Sequence, residues 1–246
     1  MKDKIFAKSF NYSFGGFEFD QKVALAFDDM VKRSIPNYDL IQDIISDLSL
    51  RFNNNGVIYD IGCSTGNTIL NIAKKHNGGN LLELFGIDPS KEMLEIFHNK
   101  ISTDLSRKNI KINIICDELN ETSTFFIKKP SVVILTLVLQ FIRPLQRQSI
   151  INKIYENLTS NGVLIIIEKI IEEDKVINKN FIEMYYDYKK KMGYSSNEIS
   201  RKRDALENYL IPLYSKENLK LLTQAGFEAT IFYSWLNFQG YIARKK

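Results

Sequence analysis

Val57-Ile58-Tyr59-Asp60-Ile61-Gly62-Cys63-Ser64-Thr65-Gly66-Asn67 decides how this chain folds. An apolar run ends at Asp60, glycines stand at 62 and 66, and a segment of helical period begins near Asn67. A buried strand turning tightly into a helix has this composition, because glycine adopts the backbone of a sharp turn and lets a ligand come close. The first N–H groups of that helix point outward and have no partner within it. A polar ligand is therefore expected at this turn.

Outward from the turn, short β-branched runs alternate with segments of three- and four-residue apolar spacing, the pattern of a parallel sheet with crossover helices. Strands are expected near 57–61, 82–87, 111–116, 131–135 and 163–168, and helices over 67–75, 91–101 and 145–158. After Glu168 the rhythm changes: residues 174–209 are polar and aromatic and read as two or more helices broken near Gly193. The end of the chain returns to the first pattern, with a helix over 215–225 stopped by Gly226 and strands over 227–233 and 236–243 as an antiparallel edge pair. The expected fold class is α/β. It has a Rossmann-like, seven-stranded, mostly parallel sheet with helices on both faces, an N-terminal helical segment, and a helical cap of about 174–210 after the fifth strand. One domain spans 1–246.

At 246 residues, 44% hydrophobic and 12% aromatic, the chain can bury a sizeable core without a second domain. Residues 1–20 mix Lys2, Asp3, Lys4 and Lys8 with aromatics and lack the apolar run of a secretory signal. The longest apolar run, 132–142, is interrupted by Thr136 and Gln140 and is far shorter than the roughly 20 residues that span a bilayer. Cys63 and Cys116 are too few for a disulfide framework, and neither has a partner at metal-ligand spacing. The expectation is a cytoplasmic protein with no metal and no membrane association. The net charge of +4 comes from scattered lysines. Lys189-Lys190-Lys191 is the one candidate RNA-binding patch, and it reads equally well as a solvated helix face, so no direct nucleic-acid binding is required.

Gly86-Ile87-Asp88 closes the second strand, putting a carboxylate 22 positions after Gly66, where it can accept hydrogen bonds from both hydroxyls of a ribose. Asp117 ends the third strand in the same way, suited to an exocyclic amine. A dinucleotide fingerprint wants a glycine where Ser64 stands, so a nucleoside fits better than a pyrophosphate. Each residue also has a plain structural reading: Gly66 starts a helix, Asp88 caps one, and Asp117 sits in a turn. Three in register at successive strand ends point to S-adenosylmethionine. Cys63 and Cys116 read as small buried thiols with no base beside them, and His76 and His98 as surface or capping residues near helix ends.

Across nearly its whole length the sequence resembles the carboxy-S-adenosyl-L-methionine synthases of bacterial wobble-uridine tRNA modification. The likeness rests on Phe19-Asp20, Val23-Ala24, Phe27, Asp29-Met30, Arg33-Ser34-Ile35-Pro36 and Tyr38. It continues in Leu139-Gln140-Phe141, Gly193-Tyr194-Ser195, Lys202-Arg203 and Leu206-Glu207-Asn208. The resemblance implies that the methyl carbon of S-adenosyl-L-methionine is carboxylated with carbon dioxide from prephenate, giving carboxy-S-adenosyl-L-methionine and phenylpyruvate in a homodimeric enzyme. A methyl on a sulfonium can lose a proton to give an ylide, and the new carboxylate then needs a fixed cation. Arg203 matches the family's carboxylate-binding arginine and is the catalytic assignment. For the cofactor, the resemblance implies Tyr38, Gly62, Cys63 and Ser64 at the methionine part, Asp88 with Pro89 at the ribose, Asp117 with Glu118 at the adenine, and Thr136 on the ligand.

Three departures stand out: Thr136 and Pro89 occupy positions where the family has asparagine, and Asn37 replaces a glycine. A cation for the donor's second carboxylate could come from Arg33, Arg201 or Lys202. The alternative is a conventional methyltransferase acting on a small molecule or RNA, since that class shares the cofactor edge. A cofactor-binding protein that has lost its reaction is a third reading.

Overall fold

In β1, Val57–Ile61, all five residues are buried, because the strand lies mid-sheet with helices over both faces. Side chains alternate about that plane: Ile58 joins Leu84, Val132 and Ile165 in one core, while Tyr59 joins Phe85, Val133 and Leu164 in the other. The first core is covered by residues of α1 (Gln21–Ser34), α2 (Tyr38–Phe52), α3 (Asn67–Lys75) and α4 (Lys91–Asp104). The second is covered by α5 (Pro144–Asn157) and α8 (Ser215–Gln224). This is a computed structural model, and it describes Asp3 and residues 20–104 and 109–246. Phe19 and nearly all of the stretch weighed against a secretory signal lie outside the described residues.

The remaining strands are β2 (Leu82–Asp88), β3 (Ile110–Cys116), β4 (Val132–Thr136), β5 (Val163–Ile171), β6 (Leu213–Tyr214), β7 (Glu228–Trp235) and β8 (Phe238–Arg244). The sheet runs β3-β2-β1-β4-β5-β8-β7; its first five strands are parallel, and β8 runs antiparallel to both β5 and β7. Seven strands thus stand as expected, and an eighth corrects the count: β6 pairs parallel with Ile170 and Ile171. Two residues between Pro212 and the start of α8 are too few to show a strand's alternation in sequence. The order reverses between β1 and β4, which puts the glycine turn after β1 at the switch point where open α/β sheets bind ligands.

The cap consists of α6 (Lys175–Lys191) and α7 (Ser196–Leu206). Gly193 lies between them at φ 91, a backbone that L side chains rarely adopt, and Ser195 opens α7 with a capping box to Glu198. No helix among the described residues is long and apolar enough to cross a membrane.

Candidate functional site

The glycine turn is set by sterics before any ligand is considered. Gly62 and Gly66 have φ of 75 and 78. A Cβ on Gly62 would stand 2.5 Å from Val138 Cγ2, and one on Gly66 would stand 2.1 Å from the Phe97 ring. Ser64, also left-handed at φ 49, donates its N–H to Asp88 Oδ2 at 2.9 Å, while Ser90 N–H meets Asp88 Oδ1 at 2.9 Å. Asp88 therefore ties the loops after β1 and β2 together. Each of its oxygens keeps a lone pair for a ligand hydroxyl.

The N-terminal helices close over this turn. Asp28 on α1 accepts hydrogen bonds from Thr65 Oγ1 at 2.6 Å and Asn67 Nδ2 at 2.9 Å, and its other oxygen pairs with Lys100 at 2.7 Å. Burial pulls the Asp28 carboxyl upward, yet these partners hold it below the ordinary range. Asn67 also reaches the Tyr38 hydroxyl at 3.2 Å, so Tyr38 at the start of α2 is buried beside the turn. Asn37 precedes it at φ 57, a left-handed backbone that asparagine adopts more readily than most side chains.

Across the switch point, Glu168 near the end of β5 organises the loop after β4. Its carboxylate, 2% exposed, accepts N–H bonds from Val138 at 3.0 Å, Leu139 at 2.9 Å and Gln140 at 3.0 Å. Burial pushes the Glu168 carboxyl up to about 8, against the pull of these donors and of Arg147. Arg147, fully buried, carries the loop's other side by donating to the carbonyls of Ile142 at 2.9 Å and Ile211 at 2.6 Å. Neither role could be read from sequence, where Glu168 ends an expected strand and Arg147 lies within an expected helix.

These elements and the cap enclose a cavity of about 520 Å³. Of the residues expected to hold the cofactor, Tyr38, Gly62, Cys63, Ser64, Asp88, Pro89, Thr136 and Arg203 line it. Asp117 and Glu118 are outside that lining: they follow β3 at the carboxyl edge, and Asp117 Oδ1 accepts the Glu118 N–H at 2.8 Å. Thr136 Oγ1 and Gln42 Oε1 are buried, line the cavity and have no hydrogen-bond partner among the described residues. Orphaned polar atoms facing a cavity are what a polar ligand would satisfy. Cys63 is buried, which pushes its thiol well up and leaves it inert; Cys116 is exposed, correcting the expectation of a buried thiol.

The cap side of the cavity is basic. Lys169 at the end of β5, Lys189 on the last turn of α6, and Lys202 and Arg203 on α7 all line it. Lys189 is 7% exposed, so the run Lys189-Lys190-Lys191 is not a uniformly solvated face. Among the cations considered for a second carboxylate, Lys202 lines the cavity and Arg33 and Arg201 do not. Arg33 instead binds Asp29 at 2.8 Å and the Asp3 and Met192 carbonyls, and stacks 4.1 Å from the Tyr194 ring, fastening α1 to the cap.

Asp60, 1% exposed at the end of β1, has no hydrogen-bond partner within bonding geometry on either oxygen among the described residues. Burial and the nearby Asp88 carboxylate push it from 3.8 up to about 7. The folded state therefore keeps a proton that the unfolded chain gives up, so this stabilisation is complete below about 3.8 and is lost as the pH rises to about 7. Asp60→Asn is expected to reduce the difference in urea midpoint between about pH 5 and about pH 8; an unchanged difference would show that other groups carry it.

With this geometry in view, the chain's relatives decide its kinship. A methyltransferase-domain family model matches residues 59–164, which hold the glycine turn. The carboxy-S-adenosyl-L-methionine synthase of Helicobacter pylori (strain Shi470) is 41% identical over 251 residues, with 100% of both chains covered. That of Campylobacter lari is 42% identical over 247 residues, again with 100% of both covered. The chain belongs to the carboxy-S-adenosyl-L-methionine synthase family. Solved structures agree on the family's fold. An O-methyltransferase family protein from Burkholderia thailandensis has a TM-score of 0.64 at 15% identity, covering 92% of this chain and 60% of that one. YcgJ from Bacillus subtilis has a TM-score of 0.62 at 11% identity, covering 85% and 99%. The fold is shared with conventional methyltransferases; the full-length likeness is to the synthases.

Proposed function

We propose that this chain converts S-adenosyl-L-methionine and prephenate to carboxy-S-adenosyl-L-methionine and phenylpyruvate, as a cytoplasmic homodimer supplying the carboxymethyl donor for wobble-uridine tRNA modification. The observation that supports this most is that one cavity is lined by the glycine turn with Asp88 at one side and by Arg203 of the cap at the other. A turn suited to a nucleoside and a guanidinium thus face the same volume. The orphaned Thr136 hydroxyl and the spare lone pairs of Asp88 fit a ligand rich in donors.

In this reading Tyr38, Gly62, Cys63 and Ser64 hold the methionine part and Asp88 with Pro89 the ribose. Asp117 and Glu118 meet the adenine at the open carboxyl edge, and Thr136 offers its hydroxyl. The sulfonium supplies acidity at its methyl carbon. The balance closes: the donor's ring loses its carboxylate as carbon dioxide and its hydroxyl, the methyl loses a proton to that hydroxyl as water, and a carbon–carbon bond forms. The protein excludes bulk water, which would otherwise dilute carbon dioxide and protonate the carbon.

Arg203 receives the new carboxylate. Its Nη2 now pairs with Asp204 Oδ1 at 2.8 Å and its side chain is 61% exposed. An exposed pair of this kind is weak, so exchanging Asp204 for a ligand carboxylate costs little. Arg203→Ala is expected to leave S-adenosylmethionine affinity nearly intact and to weaken carboxy-S-adenosylmethionine about tenfold or more, as read by calorimetry. Equal loss for both ligands would mark Arg203 as structural.

A further inference from the structure

The carboxylation reading uses one cation, Arg203, yet three more line the same cavity from three separate elements. Lys169 Nζ lies 5.2 Å from the centroid of the Tyr185 ring and Lys189 Nζ lies 4.6 Å from it. Tyr185 is itself buried and fixed, its hydroxyl donating to the Ser34 carbonyl at 2.8 Å. Among the described residues, no carboxylate or other oxygen is within hydrogen-bonding reach of either ammonium. Lys202 Nζ donates to Ser34 Oγ at 3.0 Å, on the same stretch of α1. Among the described residues, Asp3 is a carboxylate whose charge Lys189 and Lys202 feel, and it also accepts from the Tyr194 hydroxyl.

Gathering ammonium groups in a half-dry pocket is costly. Burial pulls Lys189 well below its ordinary range, lowers Lys169, and brings Lys202 down to about 8, with Lys202 and Lys169 adding to the shift at Lys189, and Arg33 and Lys169 to that at Lys202. A ring face offsets only part of that cost. Packing alone would be served better by a methionine at Lys189, which fills the same space without a charge. The arrangement makes sense when an anion completes it, and more than one ammonium calls for more than one negative charge.

We propose that Lys169, Lys189 and Lys202 form a dicarboxylate subsite that seats the carbon dioxide donor and selects for its double charge. This rests on the carboxylation reading and deepens it. Arg203 at the exposed rim holds the product's carboxylate, and the lysines at the base of the cap hold the donor. The Tyr185 ring beneath two of them gives the donor's ring an apolar wall.

The test uses the full-length enzyme and the single variants Lys169→Met and Lys189→Met. Prephenate is titrated calorimetrically into enzyme saturated with S-adenosylhomocysteine, which has no methyl group to carboxylate; S-adenosylmethionine and phenylpyruvate, a monocarboxylate, are titrated separately. Each variant is expected to weaken prephenate about tenfold or more while S-adenosylmethionine stays within about twofold, and the wild type should favour prephenate over phenylpyruvate. Without ligand, Lys189→Met should raise Tm by about 2–4 °C, because an uncompensated charge is gone. Unchanged prephenate affinity in both variants overturns the subsite. So does an equal loss of S-adenosylmethionine affinity, which would make these lysines the seat of the cofactor's own carboxylate, or a lowered Tm with both ligands lost. If the wild type binds prephenate through these lysines but forms no carboxylated product, the reaction reading fails and the subsite stands. If product forms equally well in wild type and variants, the reaction stands and the subsite fails.

Discussion

Glu168→Ala is expected to cost about 3–5 kcal/mol of folding stability, one of the two largest effects of any single change described here. Three backbone N–H groups, those of Val138, Leu139 and Gln140, lose their acceptor at once, and the loop is too buried for water to replace it freely. Glu168→Gln should cost less, about 1–2 kcal/mol, because its amide oxygen can keep the Val138 and Leu139 bonds while its NH2 faces the Gln140 N–H. The function suffers with the fold, since Val138 packs on Gly62 and so couples this loop to the glycine turn. Urea denaturation of the two variants checks the order; equal losses for alanine and glutamine would mean that the charge matters rather than the acceptor geometry.

Gly66→Ala is expected to cost about 2–4 kcal/mol and to abolish ordinary cofactor binding. Two terms add. The residue sits at φ 78, which penalises any Cβ, and that Cβ would lie 2.1 Å from the Phe97 ring. Phe97 has little room to retreat, because it is fully buried and lies close over the backbone of Gly86, where its ring occupies the space a Cβ would need. In a Phe97→Leu background the same substitution should cost less, leaving mainly the backbone term, as measured by thermal and urea unfolding of the four-member cycle. An undiminished cost there would show that φ alone sets the requirement.

Much of this was legible in the chain because hydrophobic runs end where charge begins. β1 and α3 occupy the spans read from sequence, since Asp60 and the glycines punctuate them sharply. β5 runs three residues beyond its expected end, because the charges at Glu168 and Lys169 look like a strand's end while their side chains are satisfied or sheltered by elements distant in sequence. The same reason hid the cap lysines. A lysine on a polar helix reads as solvated, and only packing α6 and α7 against α1 turns Lys189 inward. Asp88 was legible at a strand end, whereas Asp60 looked like part of the motif and proved to be a buried carboxyl with no partner in good hydrogen-bonding geometry among the described residues. Asp117 was legible as the end of β3, but register alone could not tell whether it faces the enclosed cavity, and it does not line it.

The central claim is that the donor's carboxylate becomes bonded to the cofactor's methyl carbon. Prephenate carrying carbon-13 in its ring carboxylate, incubated with S-adenosylmethionine and the wild-type enzyme, tests it directly by mass spectrometry of the nucleoside product. Carboxy-S-adenosyl-L-methionine bearing the label is expected, with unlabelled phenylpyruvate beside it. Recovery of unmodified S-adenosylmethionine, or of S-adenosylhomocysteine with a methylated acceptor, would contradict it.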